Sequence, residues 1–132
     1  MRITVDTNVL VRAVVRDDEA QAEAASKVLR QADLIAVPLS CLCEFVWVLR
    51  RTYRLPPDFV ASAVRRLMGS RNVVIDRDAA EAGLDIHDLG GDFADGVIDH
   101  EGRRLGGTNF VSFDRTAVQL LERSGSAATV LA

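Results

Sequence analysis

Lysine is almost missing from this chain. Lys27 stands alone against 15 arginines, so chemistry that needs a lysine in the second half of the chain is closed to it. Cysteine is nearly as scarce. Cys41 and Cys43 lie two residues apart in an apolar, helix-like stretch and point in different directions, which leaves no disulfide framework and makes them small core or interface residues of a reducing cytosol. Histidine occurs twice. His87 and His100 complete no zinc pattern with the cysteines, and His100-Glu101 is not followed by the second histidine of a zincin helix, so both read as surface residues. No stretch approaches the roughly 20 apolar residues of a membrane span. Asp6 interrupts the first apolar run too early for a signal peptide. The expectation is a cytoplasmic protein with no membrane partner. Gly90-Gly91 and Gly106-Gly107 look like helix stops and not like a phosphate-cradling loop, and no series of exposed aromatics suggests base stacking.

What is present fits one domain spanning residues 1–132. Hydrophobic residues make up 48% and charged residues 27%, an ordinary globular balance, and a chain of this length buries roughly two-thirds of its unfolded surface. The net charge of −3 argues against a sequence-independent nucleic-acid coat protein, which is basic, but not against a nuclease whose acids are neutralised by metal. Arginine suits phosphate recognition through its planar fork. Arg50, Arg51, Arg54, Arg65, Arg66, Arg103, Arg104 and Arg115 either line a phosphate-binding groove or form a solvated basic face.

Strands and helices alternate along the chain. Ile3-Thr4-Val5 is a β-branched strand, followed by a helical segment from Val9 to Val15. Glu19 to Ala32 is an amphipathic helix and Leu34 to Val37 a second strand. Ser40 is placed to cap a helix running to Tyr53, whose residues are apolar almost all round, so that the helix is either deeply buried or packed on a partner and Glu44 in its middle is expected to be a buried carboxylate. A helix from Pro56 to Ser70 precedes a third strand, Asn72 to Ile75. Asp78 is expected to cap the next helix, to Leu89, and a helix from Asp92 to Leu105 follows. Asn109 to Phe113 is a fourth strand, Arg115 to Arg123 a helix, and Thr129 to Leu131 a last strand. This order predicts an α/β fold, a parallel sheet sandwiched by helices.

Acids stand where this pattern is most informative. Asp6 and Asp114 each close a strand at its carboxyl end, the edge where open α/β sheets bind ligands. Asp92, Asp95 and Asp99, at i, i+3 and i+7, share one face at the start of a helix. Each has a plain structural reading, as a helix cap, a solvated acid or one half of an ion pair. Should Asp6, Glu44, Asp95 and Asp114 converge to within about 5 Å, each pair would repel by ~3 kcal/mol at an effective dielectric of about 20. Protons or cations would have to offset that. An all-oxygen site suits Mg²⁺ or Mn²⁺, and the matching chemistry is phosphoryl transfer to water, which needs no side-chain nucleophile.

These residues resemble a known family. Val5-Asp6-Thr7-Asn8-Val9-Leu10, Glu44 in an apolar helix, Asp92-Phe93-Ala94-Asp95 and Val111-Ser112-Phe113-Asp114, in that order, resemble the PIN-domain family, and the length resembles its VapC-type toxins of bacterial toxin–antitoxin pairs. The resemblance implies a three-layer α/β/α sandwich with a central, mainly parallel sheet of four to five strands. It also implies an Mg²⁺- or Mn²⁺-dependent endoribonuclease whose catalytic, metal-holding quartet is Asp6, Glu44, Asp95 and Asp114. Asp92 would be an accessory acid, Asp99 would stand behind the quartet, and Asn8 and Ser112 match supporting polar positions. The implied partners are an RNA substrate, a second copy in a homodimer, and a VapB-type antitoxin whose tail occupies the acidic site, often through arginine. Gly96 and Ser112 depart from the family's commoner alanine and threonine.

Two other readings compete. A phosphatase of the haloacid-dehalogenase type wants a second acid where Asn8 stands, and a response-regulator receiver wants the missing late lysine. A PIN-like module that binds RNA or a partner without cutting would be free to lose one of the acids, and all are present.

Overall fold

Three short parallel strands organise the first part of the chain. In the computed structural model, which describes all 132 residues, the chain divides into two units, Met1–Asp76 and Arg77–Ala132. In the first, β1 (Arg2–Thr4), β2 (Leu34–Ala36) and β3 (Val73–Val74) lie in that order, with Ile3 opposite Ile35 and Ile35 opposite Val73. Parallel neighbours need a crossover. Helices α1 (Thr7–Val14) and α2 (Glu19–Gln31) supply the first. The second is α3 (Leu39–Trp47) with its π-helical continuation (Val48–Thr52), and α4 (Pro57–Gly69). Asp18 starts α2 by accepting a hydrogen bond from the Gln21 backbone N–H at 3.0 Å, and Ala22 and Ala25 turn inward. Leu10, Leu42, Phe45, Leu49, Val60 and Val64 are fully buried.

Two expectations for α3 are corrected. It starts at Leu39, one residue before the expected Ser40 cap. Pro38 takes the cap position instead, because its fixed φ of −64° suits an extended cap and its carbonyl accepts from the Leu42 N–H at 3.0 Å. The helix is also not buried all round. Leu42, Phe45, Val46 and Leu49 face inward, while Ser40, Glu44, Trp47 and, one turn on, Arg51 are exposed. Glu44 is therefore a surface carboxylate, not a buried charge.

The π-helical segment ends on a backbone that arginine does not favour. Arg54 has φ +54°, the left-handed region, and the Leu55 N–H donates across it to the Leu49 carbonyl at 3.0 Å. Glycine is the usual residue in such a helix stop. Arg54→Gly is expected to stabilise the protein by about 0.5–1 kcal/mol, a rise of roughly 2–4 °C in melting temperature. An unchanged or lower melting point would show that the Arg54 side chain offsets the strain.

In the second unit, α5 (Arg77–Asp88) and α6 (Phe93–Arg104) form a hairpin, followed by β4 (Phe110–Ser112), α7 (Arg115–Arg123) and β5 (Ala128–Val130). The α5 helix begins at Arg77, so Asp78 lies in its first turn instead of capping it, a place the helix dipole still favours for an acid. Gly90, at φ +92°, closes α5. Its N–H donates to the His87 carbonyl and the Gly91 N–H to the Ile86 carbonyl, both at 2.9 Å. Strands β4 and β5 pair in parallel, with Val111 opposite Thr129, and Phe110 and Ala128 pack on a core of Ile86, Leu120 and Leu121. His87 belongs to the inward stripe of α5, with Ala79, Ala80, Gly83, Leu84 and Ile86. It is 4% exposed, which corrects its reading as a surface residue.

The hairpin is held by close backbone approach. A Cβ at Gly83 would stand 2.6 Å from the Phe93 ring, and one at Gly96 would stand 2.2 Å from the Ala82 carbonyl oxygen. The fold is thus α/β and helix-rich, with all five strands in parallel ladders, three in the first unit and two in the second. No helix is long and apolar enough to cross a membrane.

Candidate active-site carboxylates

Asp6 follows β1 and caps α1. Its backbone is extended and its carboxylate accepts from the Thr7 N–H at 2.8 Å, which leaves the rest of an exposed carboxylate free to accept. Thr7 itself is buried and hydrogen-bonded to the Cys41 thiol. Burial pushes that thiol above its ordinary range. The Thr7 hydrogen bond works against the rise, and the carboxylates of Asp6 and Glu44 add to it. Cys41 is therefore a buried thiol that feels both acids, and it is a poor nucleophile. Asn8 is exposed and makes no hydrogen bond.

In the second unit the acids sit at helix starts. Asp92 caps α6, accepting from the Ala94 N–H at 3.0 Å, and Asp114 caps α7, accepting from the Ala117 N–H at 3.1 Å. Ser112 steadies the second cap, since its hydroxyl accepts from the Asp114 N–H at 3.0 Å. Asp95, in the first turn of α6, is partly buried. Its carboxyl is pushed up to about 6, chiefly by burial, then by the negative charges of Asp92 and Asp114. Burial and like charge act in the same direction here, both disfavouring the ionised form.

Asp99 is placed differently. It accepts from the Ser126 hydroxyl at 2.7 Å and from Arg103 Nε at 3.1 Å. It ties α6 to the segment after α7, beside a cavity of about 180 Å³ that Asp85, His100 and Ser124 also line. The arginines sort in the same way. Arg50 donates to the Leu55 carbonyl, Arg103 to Asp99 and Arg104 to Glu101. Arg51 and Arg115 are exposed and make no hydrogen bond or ion pair.

None of Asp6, Glu44, Asp92, Asp95 or Asp114 makes an ion pair with any of the chain's arginines or its lysine. No three carboxylate, imidazole or thiol side chains stand in metal-ligand geometry. A model of the PIN domain matches residues 3–120, a stretch that runs through both units. The chain belongs to the PIN-domain family. No curated protein matches it. PIN domains are generally metal-dependent nucleases. The acids of this one suit a hard divalent cation: their donors are all oxygen, no cationic side chain neutralises them, and Asp95 holds its proton unusually well, chiefly through burial and then through the charges of Asp92 and Asp114.

Two exposed aromatics stand out that the sequence pattern does not mark. Trp47 is 53% exposed and Phe113 is 74% exposed, and each stands beside one of the acids. Trp47 is three residues from Glu44, hence on its helix face, and Phe113 directly precedes Asp114. Spacing from the acids is the signal available in the sequence; apolar character alone suggests burial.

Proposed function

We propose that this PIN domain is an Mg²⁺-dependent endoribonuclease, with Mn²⁺ able to substitute, in which Asp6, Glu44, Asp95 and Asp114 hold the metal and carry catalysis. The supporting observation is the Asp95 carboxyl, raised to about 6 by burial and by Asp92 and Asp114, with no cation in the chain to relieve it. When bound, the cation supplies a water acidic enough to act as nucleophile near neutral pH, and positive charge for the phosphate oxygens. The chain's own part is to keep carboxylates in place. Asp6 and Asp114 are fixed as helix caps, Ser112 holds the Asp114 backbone, and Asp92 lowers the local potential as an accessory acid. Asp99 and Asn8 support the site from outside the quartet. Of the arginines expected on RNA, Arg51 and Arg115 are uncommitted; Arg50, Arg103 and Arg104 would have to exchange partners.

The same reading makes the protein a cytoplasmic VapC-type toxin, a homodimer held inactive by a VapB-type antitoxin that brings an arginine to the acids. The test is incubation of total cellular RNA with the purified chain in Mg²⁺, in Mn²⁺ and in EDTA. Discrete products that appear with either metal and vanish in EDTA are the expected result. If no RNA is cut and a titration shows no Mn²⁺ bound, the reading is wrong and the chain is a PIN-type interaction module.

A further inference from the structure

We propose that Ser126 is a positioning residue of the acidic site: by donating its hydroxyl to Asp99 it pins the end of α7 against α6, and so fixes how Asp95 and Asp114 stand to one another. The inference rests on the nuclease reading, in which both acids hold the metal, and adds what keeps the two in place.

The two acids belong to different helices. Asp95 lies in the first turn of α6, and Asp114 caps the start of α7. Asp114 is near enough for its charge to act on the Asp95 carboxyl. Any change in the angle between these helices therefore changes the spacing of two metal-holding carboxylates. Ser126 is fastened to the far end of α7. Its N–H donates to the Leu121 carbonyl at 2.9 Å and the Gly125 N–H to the Glu122 carbonyl at 3.0 Å, while Gly125 takes φ +97°, the backbone of a helix stop. Asp99 lies one turn after Asp95 on α6, roughly 6 Å further along the axis. The hydrogen bond between them, 2.7 Å from Ser126 Oγ to Asp99 Oδ2, thus joins two stiff helices. A shift at the end of α7 is carried to Asp114 at its start, across roughly 13 Å of helix.

Apolar packing alone does not set this joint. The cavity of about 180 Å³ is lined here by α5, α6 and α7, through Ala82, Ile86, Gly96 and Leu121. Side chains that line a void have no atoms on one side to resist movement. Asp99 and Ser126 both line it, and their hydrogen bond crosses from one helix to the other where packing is incomplete. The Asp99 side chain is only 10% exposed, and Arg103 Nε donates to the same oxygen at 3.1 Å. A hydrogen bond to an ionised carboxylate is about twice as strong as one between neutral groups, and the low local dielectric strengthens it further. Ser124 lines the same cavity but donates to the Leu120 carbonyl of its own helix at 3.1 Å, so it makes no such tie. Ser126 also lies beyond residues 3–120, the stretch that the PIN-domain model matches, so the tie is not part of the matched pattern.

The test compares the full chain with Ser126→Ala, with Ser126→Thr, which keeps the hydroxyl, and with Ser124→Ala as the control, all well below their melting temperatures. In EDTA, the amide resonances of Asp95, Asp114 and Ala117 should shift in Ser126→Ala, although the substitution lies at the other end of α7. They should stay in place in Ser126→Thr and Ser124→Ala. Mn²⁺ affinity, read from the paramagnetic signal of the free ion, should fall about 10-fold in Ser126→Ala and recover in Ser126→Thr. On an RNA that the wild type cuts, kcat should fall by roughly 10- to 100-fold at saturating Mn²⁺ while KM holds. A role confined to stability would lower the melting temperature and leave these readings unchanged. Unshifted amides overturn the proposal, and so does unchanged Mn²⁺ affinity in a wild type that binds the ion. Losses in Ser126→Thr as large as in Ser126→Ala overturn it as well. Asp99→Asn keeps an oxygen for Ser126 but removes the charge, so the same amides should shift less; that variant decides if Ser126→Ala does not fold. Shifted amides in a protein that binds no Mn²⁺ and cuts no RNA keep the Ser126 tie and remove the nuclease reading instead.

Discussion

Replacing Asp95 by Asn should abolish metal-dependent RNA cleavage while making the metal-free protein harder to melt at neutral pH. The two effects have one cause. The Asp95 carboxyl rises from 3.8 to about 6 on folding, because burial and the charges of Asp92 and Asp114 disfavour its ionised form. An acid whose folded value is raised contributes its full stability below about 4, where it is protonated in both states. That contribution is lost as pH climbs through about 6, where the folded protein must give up the proton. At pH 7 the ionised Asp95 therefore works against the metal-free fold, and a neutral amide of the same shape removes the penalty. Taken at face value the rise is worth about 3 kcal/mol. Screening of a group this accessible reduces that to about 1–1.5 kcal/mol, or roughly 3–6 °C.

The measurement is melting temperature against pH in EDTA, for wild type and Asp95→Asn. The wild type should lose stability relative to the variant between pH 4 and 6 and run parallel to it above. Equal melting at pH 7 would mean that the acids do not repel as described. With Mg²⁺ present the order should reverse, because binding to the folded state alone stabilises it by mass action, and the wild type alone holds the metal well. Cleavage by the variant should fall by about 100-fold or more, the scale of losing one charge-stabilising group at a reacting phosphate. For the wild type, the proton on Asp95 competes with metal below pH 6, so activity should fall there even when RNA is saturating.

The alternation of strands and helices is readable from the sequence because it rests on local pattern. Asp92 and Asp114 are identifiable as helix starts for the same reason: a short acid before an apolar period is a cap wherever it occurs. What local pattern cannot supply is which side of an apolar helix faces out. Leu42, Phe45 and Trp47 are all apolar, yet the first two are fully buried and the third is exposed. Glu44 goes astray with them, since its burial is inferred from neighbours that occupy the opposite face. His87 is legible in its spacing, which places it on the stripe Ala79, Ala80, Gly83, Leu84 and Ile86, but the polar character of histidine argues the other way and the period wins. The roles of Asp95 and Asp99 differ for a reason that sequence spacing does not contain. Ser126 and Arg103 claim Asp99, whereas Asp95 is partly buried, feels the charges of Asp92 and Asp114, and has no ion-pair partner.

Gly96 marks the sharpest difference between pattern and packing. By propensity both glycines of α6, Gly96 and Gly102, weaken their helix by about 1 kcal/mol, and alanine should improve either. The structure separates them. A Cβ added at Gly102 would have no neighbouring atom within 4 Å, so Gly102→Ala should gain about 0.5–1 kcal/mol. At Gly96 the new Cβ would stand 2.2 Å from the Ala82 carbonyl oxygen, 2.8 Å from its carbon and 2.9 Å from the Gly83 Cα. These are backbone atoms of α5, so no side chain can swing aside and the two helices must part. Overpacking of this kind costs about 1–3 kcal/mol, and here the rigid neighbours argue for the upper end even after the propensity gain. Gly96→Ala should therefore melt several degrees below wild type and Gly102→Ala a few degrees above it. Because Gly96 follows Asp95 directly, parting the helices also moves that carboxylate. Asp95 should become more exposed, its pKa should fall toward the ordinary value, and the dependence of melting on pH between 4 and 6 should flatten. A Gly96→Ala protein as stable as wild type would mean that the hairpin can open at no cost, and that the family's commoner alanine fits here after all.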